Sequence, residues 1–201
     1  MNKIISKEHF SANVVKFDVE APLIAKARKA GHFVIVRTGE KGERIPLTIT
    51  SSDPEQGTIS LVIQAVGKST QKLCSLEAGD YIADVVGPLG QATHVEKVGT
   101  VVCCGGGVGV APLLPIVEAM KKAGNRVITV LAARTKELII LEEQVRPYSD
   151  EVIIMTDDGS YGKKGLVTHG VEEVINREKV DLCVTCLLYT SPSPRDISGS
   201  R

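Results

Sequence analysis

The sequence predicts a protein of two domains, an antiparallel β-barrel followed by an α/β domain built on a parallel sheet. The 201 residues are enough for two small hydrophobic cores. Short β-rich segments separated by turn residues fill the first half of the chain. After residue 97 the pattern changes to buried strand, glycine turn and helix, which is typical of a parallel sheet. We therefore place the barrel at residues 1–96 and the α/β domain at residues 97–185.

Composition and charge narrow the classes of function. Lys and Arg total 24 and Asp and Glu total 24, so the formal net charge is +0. This balance argues against nucleic acid or an anionic membrane surface as a partner. A hydrophobic content of 43% is that of a folded globular protein, and no apolar run reaches the length of a membrane span. We expect a cytoplasmic protein that binds small molecules or another protein.

Strand and turn signals define the elements of the predicted barrel. Apolar alternation predicts strands at residues 13–19, 32–37, 46–50, 58–65 and 80–86. Glycine and proline turns interrupt them, including Gly-Pro-Leu-Gly at residues 87–90, which precedes the domain boundary. One helix is predicted at residues 69–76, with Ser69 and Thr70 as candidate capping residues.

The α/β domain is predicted from four buried strands with helices between them. The strands are expected at residues 100–104, 126–133, 152–156 and 181–185, and the helices at residues 111–123, 137–145 and 167–177. Residues 186–201 break this pattern with a Pro/Ser-rich segment that resembles the read-through translation of a sequencing-library adapter. We expect this tail to be non-native, the chain to be truncated there, and a further sheet strand to be missing.

The cysteines and histidines do not complete the ligand set of a metal site. An odd count of five cysteines without secretory context predicts reduced thiols. The pair Cys183 and Cys186 has the spacing of half a metal clip, but no second pair completes four ligands. His9, His32, His94 and His169 show neither nucleophile nor metal spacing, so we interpret them as surface or packed residues.

The strongest local motif is the glycine-rich segment at residues 103–113, Cys-Cys-Gly-Gly-Gly-Val-Gly-Val-Ala-Pro-Leu. Glycines let a backbone approach a pyrophosphate closely, and the start of the following helix offers free N–H groups and a positive dipole end. Pro112 stands where the standard dinucleotide fingerprint has its third glycine. The alternative interpretation is a tight strand-to-helix connection.

Three further segments are candidates for contact with a cofactor. Residues 44–49, Arg-Ile-Pro-Leu-Thr-Ile, combine a guanidinium for phosphate with a hydroxyl, although an exposed arginine at a strand start is the alternative. Residues 66–73, Val-Gly-Lys-Ser-Thr-Gln-Lys-Leu, form either a second anion site or a simple helix cap. Residues 156–165, Thr-Asp-Asp-Gly-Ser-Tyr-Gly-Lys-Lys-Gly, leave a parallel strand at its carboxyl end, where ligands bind, or form an ordinary Asp-Gly turn.

In this order, the four motifs resemble those of the ferredoxin-NADP reductase superfamily over roughly residues 3–185. The loop at residues 156–162 is most similar to the branch of electron-transfer subunits. That branch includes subunits of dihydroorotate dehydrogenase, sulfide dehydrogenase and NADH-dependent ferredoxin:NADP oxidoreductase. The four motifs jointly are specific, whereas each alone is not. The resemblance implies a flavin-binding barrel followed by a nucleotide-binding α/β domain.

The resemblance also implies roles for individual residues. Arg44 would bind an FAD phosphate, the segment around Pro46 and Leu47 would line the isoalloxazine, and Thr48 would lie near its reactive nitrogen. Thr48 and Asp157 are the candidate catalytic residues. The flavin residues implied are Arg44, Ile45, Pro46, Leu47, Thr48, Ile49, Val62, Ile63, Gln64, Gly67, Ser69 and Thr70. The NAD(H) residues implied are Gly105, Gly106, Gly107, Val108, Gly109, Ala111, Pro112, Asp157 and Asp158.

The implied function is that of an FAD-containing electron-transfer subunit that moves a hydride between NAD(H) and FAD. Electrons would then pass through a [2Fe-2S] cluster to a catalytic partner subunit, with ferredoxin as a possible partner. This chain has no cysteine-rich cluster segment, so we expect the cluster only in the untruncated protein. Ferredoxin:NADP oxidoreductase or sulfide dehydrogenase chemistry is the first hypothesis. The alternatives are the electron-transfer subunit of dihydroorotate dehydrogenase, a non-catalytic flavin- or nucleotide-binding module, and a fragment that does not fold.

The coenzyme is not decided by the residues alone. An acidic residue about 20 positions after the glycine turn would favour NAD, but the end of that strand carries Arg134 and Lys136. Either cation could meet a 2′-phosphate or stand free in solvent. The resemblance favours NAD(H).

Overall fold

The first domain of the computed structural model, which describes residues 1–39 and 42–186, is a nearly closed antiparallel barrel. In spatial order its strands are Tyr81–Ile82 (β6), Asn2–Ser11 (β1), Val14–Glu20 (β2), Thr58–Gln64 (β5), Ile45–Asp53 (β4), Phe33–Arg37 (β3) and Asp84–Leu89 (β7). The two outer strands, β6 and β7, are joined through the single residue Ala83. The ends of the sheet are therefore held together, and the sheet curves around its core.

Side chains that alternate along the strands fill the barrel. Phe17 is fully buried at its centre, and Val15 and Val19 of the same strand point the same way. Two short helices, Pro22–Ala27 (α1) and Lys68–Cys74 (α2), pack against β5. α1 buries Ile24 and Ala25 and begins with a proline at its first position, where a missing N–H is tolerated.

The second domain is a five-stranded parallel sheet between helices. Its order is Lys163–Lys164 (β11), Glu151–Thr156 (β10), Arg126–Ala133 (β9), Thr100–Gly106 (β8) and Leu182–Cys186 (β12). Val110–Lys122 (α3) covers one face, and Val167–Arg177 (α5) packs on the other. The predicted fold class, a barrel followed by a parallel α/β domain, is confirmed.

Several elements differ from the prediction. β1 and α1 were not expected, because β1 is largely polar and α1 is only six residues long. The strand predicted at residues 80–86 is divided into two strands, β6 and β7. β7 continues through residues 87–89, where the sequence predicts a turn. The helix predicted at residues 137–145 is wrong: only Glu142–Val145 (α4) is α-helical, because Leu141 has a left-handed backbone with φ of 59°.

The two domains share a hydrophobic cluster. Val14 and Val62 of the barrel pack with residues of α3, among them Val110 and Leu114. α3 lies along β4, and the 3-10 turn Gly107–Gly109 that precedes α3 lies against β5. The start of the α/β domain is therefore seated on the strands that carry the predicted flavin motif.

Residues 187–201, most of the predicted non-native tail, lie outside the described residues, whereas Cys186 ends β12 and pairs with Gly105. Among the described residues, no helix combines the length and the apolar character that a membrane crossing requires.

Candidate cofactor cleft between the domains

A cleft of about 520 Å³ lies where the carboxyl ends of β8, β9 and β10 face the barrel. In open α/β sheets this edge is where ligands bind. The barrel contributes Ser11, Asn13, Val14 and Gln64. The α/β domain contributes Gly106, Gly107, Val108, Ala132, Ala133, Arg134, Leu138, Ile140, Asp157, Leu166, Val167 and Thr168.

The glycine turn forms one wall of this cleft. Gly107 has a φ of +52°, and a Cβ atom built there would meet no atom within 4 Å. The space beside this backbone is therefore open to a ligand. At Gly105, in contrast, a Cβ would lie 3.0 Å from Leu113 Cδ2, so the missing side chain allows α3 to pack closely on β8.

The same turn presents backbone amides to the cleft. The amide of Val110 donates to the carbonyls of Gly107 and Val108, so the amides of residues 107–109 precede the helical hydrogen-bond ladder. They point along the start of α3, a helix of 13 residues, where the helix dipole is positive. This arrangement fits a pyrophosphate. Ala111 and Pro112 belong to the first turn of α3, and Ala111 is buried.

Two charged residues at the strand ends complete this side of the cleft. Arg134 follows β9, and Asp157 follows β10. Asp158, predicted beside the nicotinamide, accepts hydrogen bonds from the amide and hydroxyl of Ser160. These bonds hold the pKa of the Asp158 carboxyl below its usual value. Asp157 therefore faces the cleft, whereas Asp158 braces its own loop.

Alternation along β4 divides the predicted flavin motif between two faces. Ile45 and Leu47 pack against the barrel core, and Ile49 is buried within it. Arg44 and Pro46 are exposed and Thr48 is half-buried, so these three share the outer face. Thr48 pairs with Phe33 across the sheet. A ligand on this face would meet Arg44, Pro46 and Thr48, and the other three residues support the strand from inside.

The turn before α2 has mixed features for an anion. A Cβ at Gly67 would meet no atom within 4 Å, so its backbone is open to approach. The Thr70 hydroxyl accepts from the amides of Val66 and Gly67 at 3.0 Å, which is a helix cap. The Ser69 hydroxyl is hydrogen-bonded to the Glu43 carboxylate. Because the amides of Val66 and Gly67 are already engaged, the amides of residues 68–70, in the first turn of α2, are what this segment offers to a phosphate.

β5 carries the remaining predicted flavin residues. Ile63 points into the barrel core, Val62 points toward the α/β domain, and Gln64 lines the cleft. Gln64 is thus the predicted flavin residue that shares a cavity with the predicted nucleotide residues. Ser11, Asn13 and Val14, which also line the cleft, were not predicted, because nothing in a single strand's pattern shows which loop will face another domain.

The thiols of β8 and β12 form a pair rather than a metal clip. Cys183 pairs in register with Val102, two residues from Cys104 on the same face. A hydrogen bond from the Cys104 thiol lowers the pKa of Cys183 to about 7 and raises that of Cys104. Cys186 packs on the opposite face of the sheet. Among residues 1–39 and 42–186, no group of three His, Cys, Asp or Glu side chains is placed to hold a metal ion.

Comparison with known proteins identifies the first domain. Residues 2–94 match the oxidoreductase FAD-binding domain family. The outward Arg44 and the open backbone at Gly67 fit the phosphates of a flavin dinucleotide. The open backbone at Gly107 fits those of a second nucleotide.

Similar proteins extend the match into the second domain. A homologue of the electron transfer subunit of dihydroorotate dehydrogenase B (NAD(+)) from Thermotoga maritima is 44% identical over 183 residues, 91% of this chain and 64% of that protein. The corresponding subunit from Desulforamulus reducens is 31% identical over 92% of this chain and 71% of its own length. The chain thus spans about two thirds of these relatives.

A solved structure shows the same architecture. A chain in the structure of NADH-dependent reduced ferredoxin-NADP oxidoreductase, described for flavin-based electron bifurcation, superposes with a TM-score of 0.89. Its sequence is 41% identical, and the match covers 93% of this chain and 67% of the other.

Proposed function

Because the chain belongs to the electron-transfer-subunit branch of the ferredoxin-NADP reductase superfamily, we propose that it transfers a hydride between NAD(H) and FAD. The longer protein would pass the electrons onward, through a [2Fe-2S] cluster, to a catalytic partner subunit. The cofactors would supply the redox chemistry, and the protein would align donor and acceptor.

One observation supports this proposal most directly. A single cleft is lined by Gln64 of the FAD-binding barrel and by Gly107 and Asp157 of the α/β domain. Because α3 lies along β4 and its leading turn against β5, a nucleotide on the glycine turn would extend toward the flavin strands. We propose Thr48 and Asp157 as the residues that contact the reacting rings.

The remaining predicted residues divide between the two cofactors. Arg44 and the amides of residues 68–70, in the first turn of α2, would hold the flavin phosphates, and Gly106 to Gly109 would hold the phosphates of the nucleotide. The remaining four, partly buried Ile45 and Leu47 and buried Ile49 and Ile63, would act by fixing the strands, since their side chains face the barrel core.

The test is the visible absorption spectrum of the purified protein, recorded without oxygen before and after addition of NADH. We expect a yellow protein whose flavin absorption bleaches. Flavin that is retained but not reduced would indicate a binding module without turnover. Failure to retain FAD after reconstitution would contradict the assignment of the barrel residues.

A matched pair of variants locates the nucleotide site. Gly107→Ala places a side chain in the open turn, and Gly124→Ala makes the same change at another positive-φ glycine, at the end of α3. We expect both variants to retain FAD and only Gly107→Ala to slow flavin reduction, by about tenfold or more, since it obstructs phosphate approach. Equal rates for the two variants would contradict the proposed nucleotide site.

The partner subunit is proposed from the relatives. The solved structure at 41% identity favours ferredoxin-linked NADP reduction, and the Thermotoga maritima relative at 44% identity makes dihydroorotate oxidation the alternative. Each of these two candidate reactions makes one prediction for the purified complex of the full-length protein with its partner subunit. The first predicts that reduced ferredoxin and NADH together reduce NADP⁺ to NADPH, and the second predicts that dihydroorotate reduces NAD⁺ to NADH.

A further inference from the structure

The loops that follow β9 and β10 are joined by a network of contacts behind the cleft, which we call the outer brace and define as Lys136, Glu142, Ser160 and Tyr161. The Lys136 amide donates to the Ser160 hydroxyl at 2.9 Å. The Lys136 ammonium lies 5.3 Å from the centroid of the Tyr161 ring. The Tyr161 hydroxyl donates to Glu142 Oε1 at 3.1 Å. The brace thus links three segments that are separate in the chain.

The Tyr161 end of the brace is anchored in the sheet. The Tyr161 amide donates to the Thr156 hydroxyl at 3.2 Å, and that hydroxyl donates back to the Tyr161 carbonyl at 2.7 Å. Thr156 is fully buried at the end of β10. Glu142 is held in turn by Arg146, whose Nε lies 3.0 Å from Glu142 Oε1. The position of the Tyr161 ring is therefore determined at both its backbone and its hydroxyl.

The brace is connected to the cleft through backbone bonds. The amide of Asp157 donates to the carbonyl of Ala133 at 3.1 Å, and the amide of Asp158 donates to the carbonyl of Arg134 at 3.3 Å. Arg134 and Asp157 line the cleft, whereas none of the four brace residues is among its lining residues. A change in the brace would therefore reach a ligand by moving lining residues of these loops, among them Arg134.

The brace also distinguishes the two cations at the end of β9. Lys136 has its ammonium over the Tyr161 ring and its amide on Ser160, so it is engaged in the structure of the loop. Arg134 faces the cleft. Of these two residues, Arg134 is therefore the one placed to meet the phosphate or ribose of a nucleotide.

We propose that Tyr161 is a positioning residue for the nucleotide: through the outer brace it fixes Arg134, and so sets the affinity of the cleft for the ADP-ribose half of NAD(H). This inference rests on the proposed function, because it requires a nucleotide in the cleft. It assigns no chemical step to Tyr161, which would affect binding rather than hydride transfer.

The test measures ADP-ribose binding to the FAD-loaded protein by isothermal titration calorimetry, because this ligand is redox-inactive. Tyr161→Phe keeps the ring beneath Lys136 and loses the bond to Glu142, and Tyr161→Ala loses both contacts. Tyr81→Ala, on the half-exposed tyrosine of β6, is the matched control. We expect Kd to rise about threefold for Tyr161→Phe and about tenfold for Tyr161→Ala, with Tyr81→Ala unchanged.

A kinetic readout separates positioning from a loss of structure. KM for NADH in flavin reduction should rise with the Kd for ADP-ribose, while the rate at saturating NADH stays within twofold of that of the unaltered protein, as expected for about equal effects on ground and transition states. Unchanged ADP-ribose binding in Tyr161→Phe and Tyr161→Ala would overturn the inference alone. Absence of ADP-ribose binding by the unaltered protein would overturn the proposed function and the inference with it.

Discussion

At the scale of single residues, the faces of β4 show how strand geometry restricts a motif. Six consecutive residues, 44–49, resemble a flavin-binding segment, but neighbouring side chains of a strand point to opposite faces. The side chains of Arg44, Pro46 and Thr48 therefore face the outside of the barrel, where a ligand would meet them. The buried isoleucines and Leu47 keep the strand in register against β3 and β5. A motif of this kind combines a binding face with a packing face.

A second residue-scale property is the reactivity of Cys183. The hydrogen bond from the Cys104 thiol stabilises the Cys183 thiolate, which lowers the pKa of Cys183 to about 7. Since a lowered pKa favours the charged form, the thiolate should predominate above pH 7. We expect alkylation of exposed Cys183 by iodoacetamide, followed by peptide mass spectrometry, to accelerate with a midpoint near that pH.

The matched variant for this prediction is Cys104→Ala, which removes the donor from the buried side of the pair. The alkylation midpoint of Cys183 should then move up toward the ordinary thiol range, about 8.5. Cys103→Ala, on the other face of β8, should leave the midpoint where it was. An identical midpoint in all three proteins would show that the Cys104 thiol does not stabilise the thiolate.

At the scale of elements, the loop after β10 depends on a glycine that no other residue could replace without strain. Gly162 has a φ of +66°, and an added Cβ would lie 2.3 Å from the carbonyl oxygen of Ile154. Gly162→Ala should therefore destabilise the α/β domain by about 3 kcal/mol, because backbone and not a flexible side chain must yield. Urea denaturation followed by circular dichroism measures this loss.

Gly124→Ala provides the comparison within the same domain. Its φ of +86° imposes similar backbone strain, but the nearest atom to the added Cβ is a side-chain carbon of Lys97 at 3.8 Å. We expect a cost of about 1 kcal/mol from the left-handed conformation alone. Equal losses in the two variants would mean that the contact with Ile154 contributes nothing.

The strands and helices also show how much of the fold can be predicted from the sequence. Four of the five strands of the parallel sheet were predicted nearly to the residue, because strands buried on both faces are continuous apolar runs between glycine turns, whereas β11, two exposed lysines, was missed. β1 was missed, since of its ten residues only Ile4 is fully buried. The run at residues 138–141 was interpreted as helical, but Ile140 and Leu141 are buried in the interdomain cluster through an irregular backbone. Tertiary packing overrode the local pattern there.

The candidate site was predictable to a similar extent. Glycine turns and strand ends carry local signals, so Gly107 and Asp157 were found from the sequence, and both line the cleft. The outer brace was not found, because its members lie on three segments that only the fold brings together. The contributions of Ser11 and Asn13 were missed for the same reason.

At the scale of the whole molecule, the proposed function requires the two domains to keep a fixed relation. Val14 and Val62 join the hydrophobic cluster of α3. On the barrel side of this boundary, Nε of Arg28 donates to the Ser52 hydroxyl at 2.9 Å. Burial lowers the pKa of Arg28, while the nearby Glu118 of α3 partly offsets this effect. Apolar packing therefore holds the barrel against α3, and the attraction between Arg28 and Glu118 acts across the same boundary.

The last prediction tests this coupling with two adjacent residues of β2. Val14 is 4% exposed and faces α3, and Val15 is 3% exposed and faces the barrel core. Each Val→Ser change places a hydroxyl in an apolar contact and should cost about 2 kcal/mol. Because the two costs are similar, any difference between the unfolding transitions of the two variants comes from where the residue lies and not from the chemistry of the substitution.

We expect the unaltered protein to unfold in one calorimetric transition, since the shared cluster couples the domains. Val14→Ser should separate this into two transitions, because it weakens the contact between the domains and leaves each core intact. Val15→Ser should lower the temperature of barrel unfolding and release FAD with it. Two transitions in the unaltered protein would show that the domains are already independent, and the cleft between them would then have no fixed geometry in which to align two cofactors.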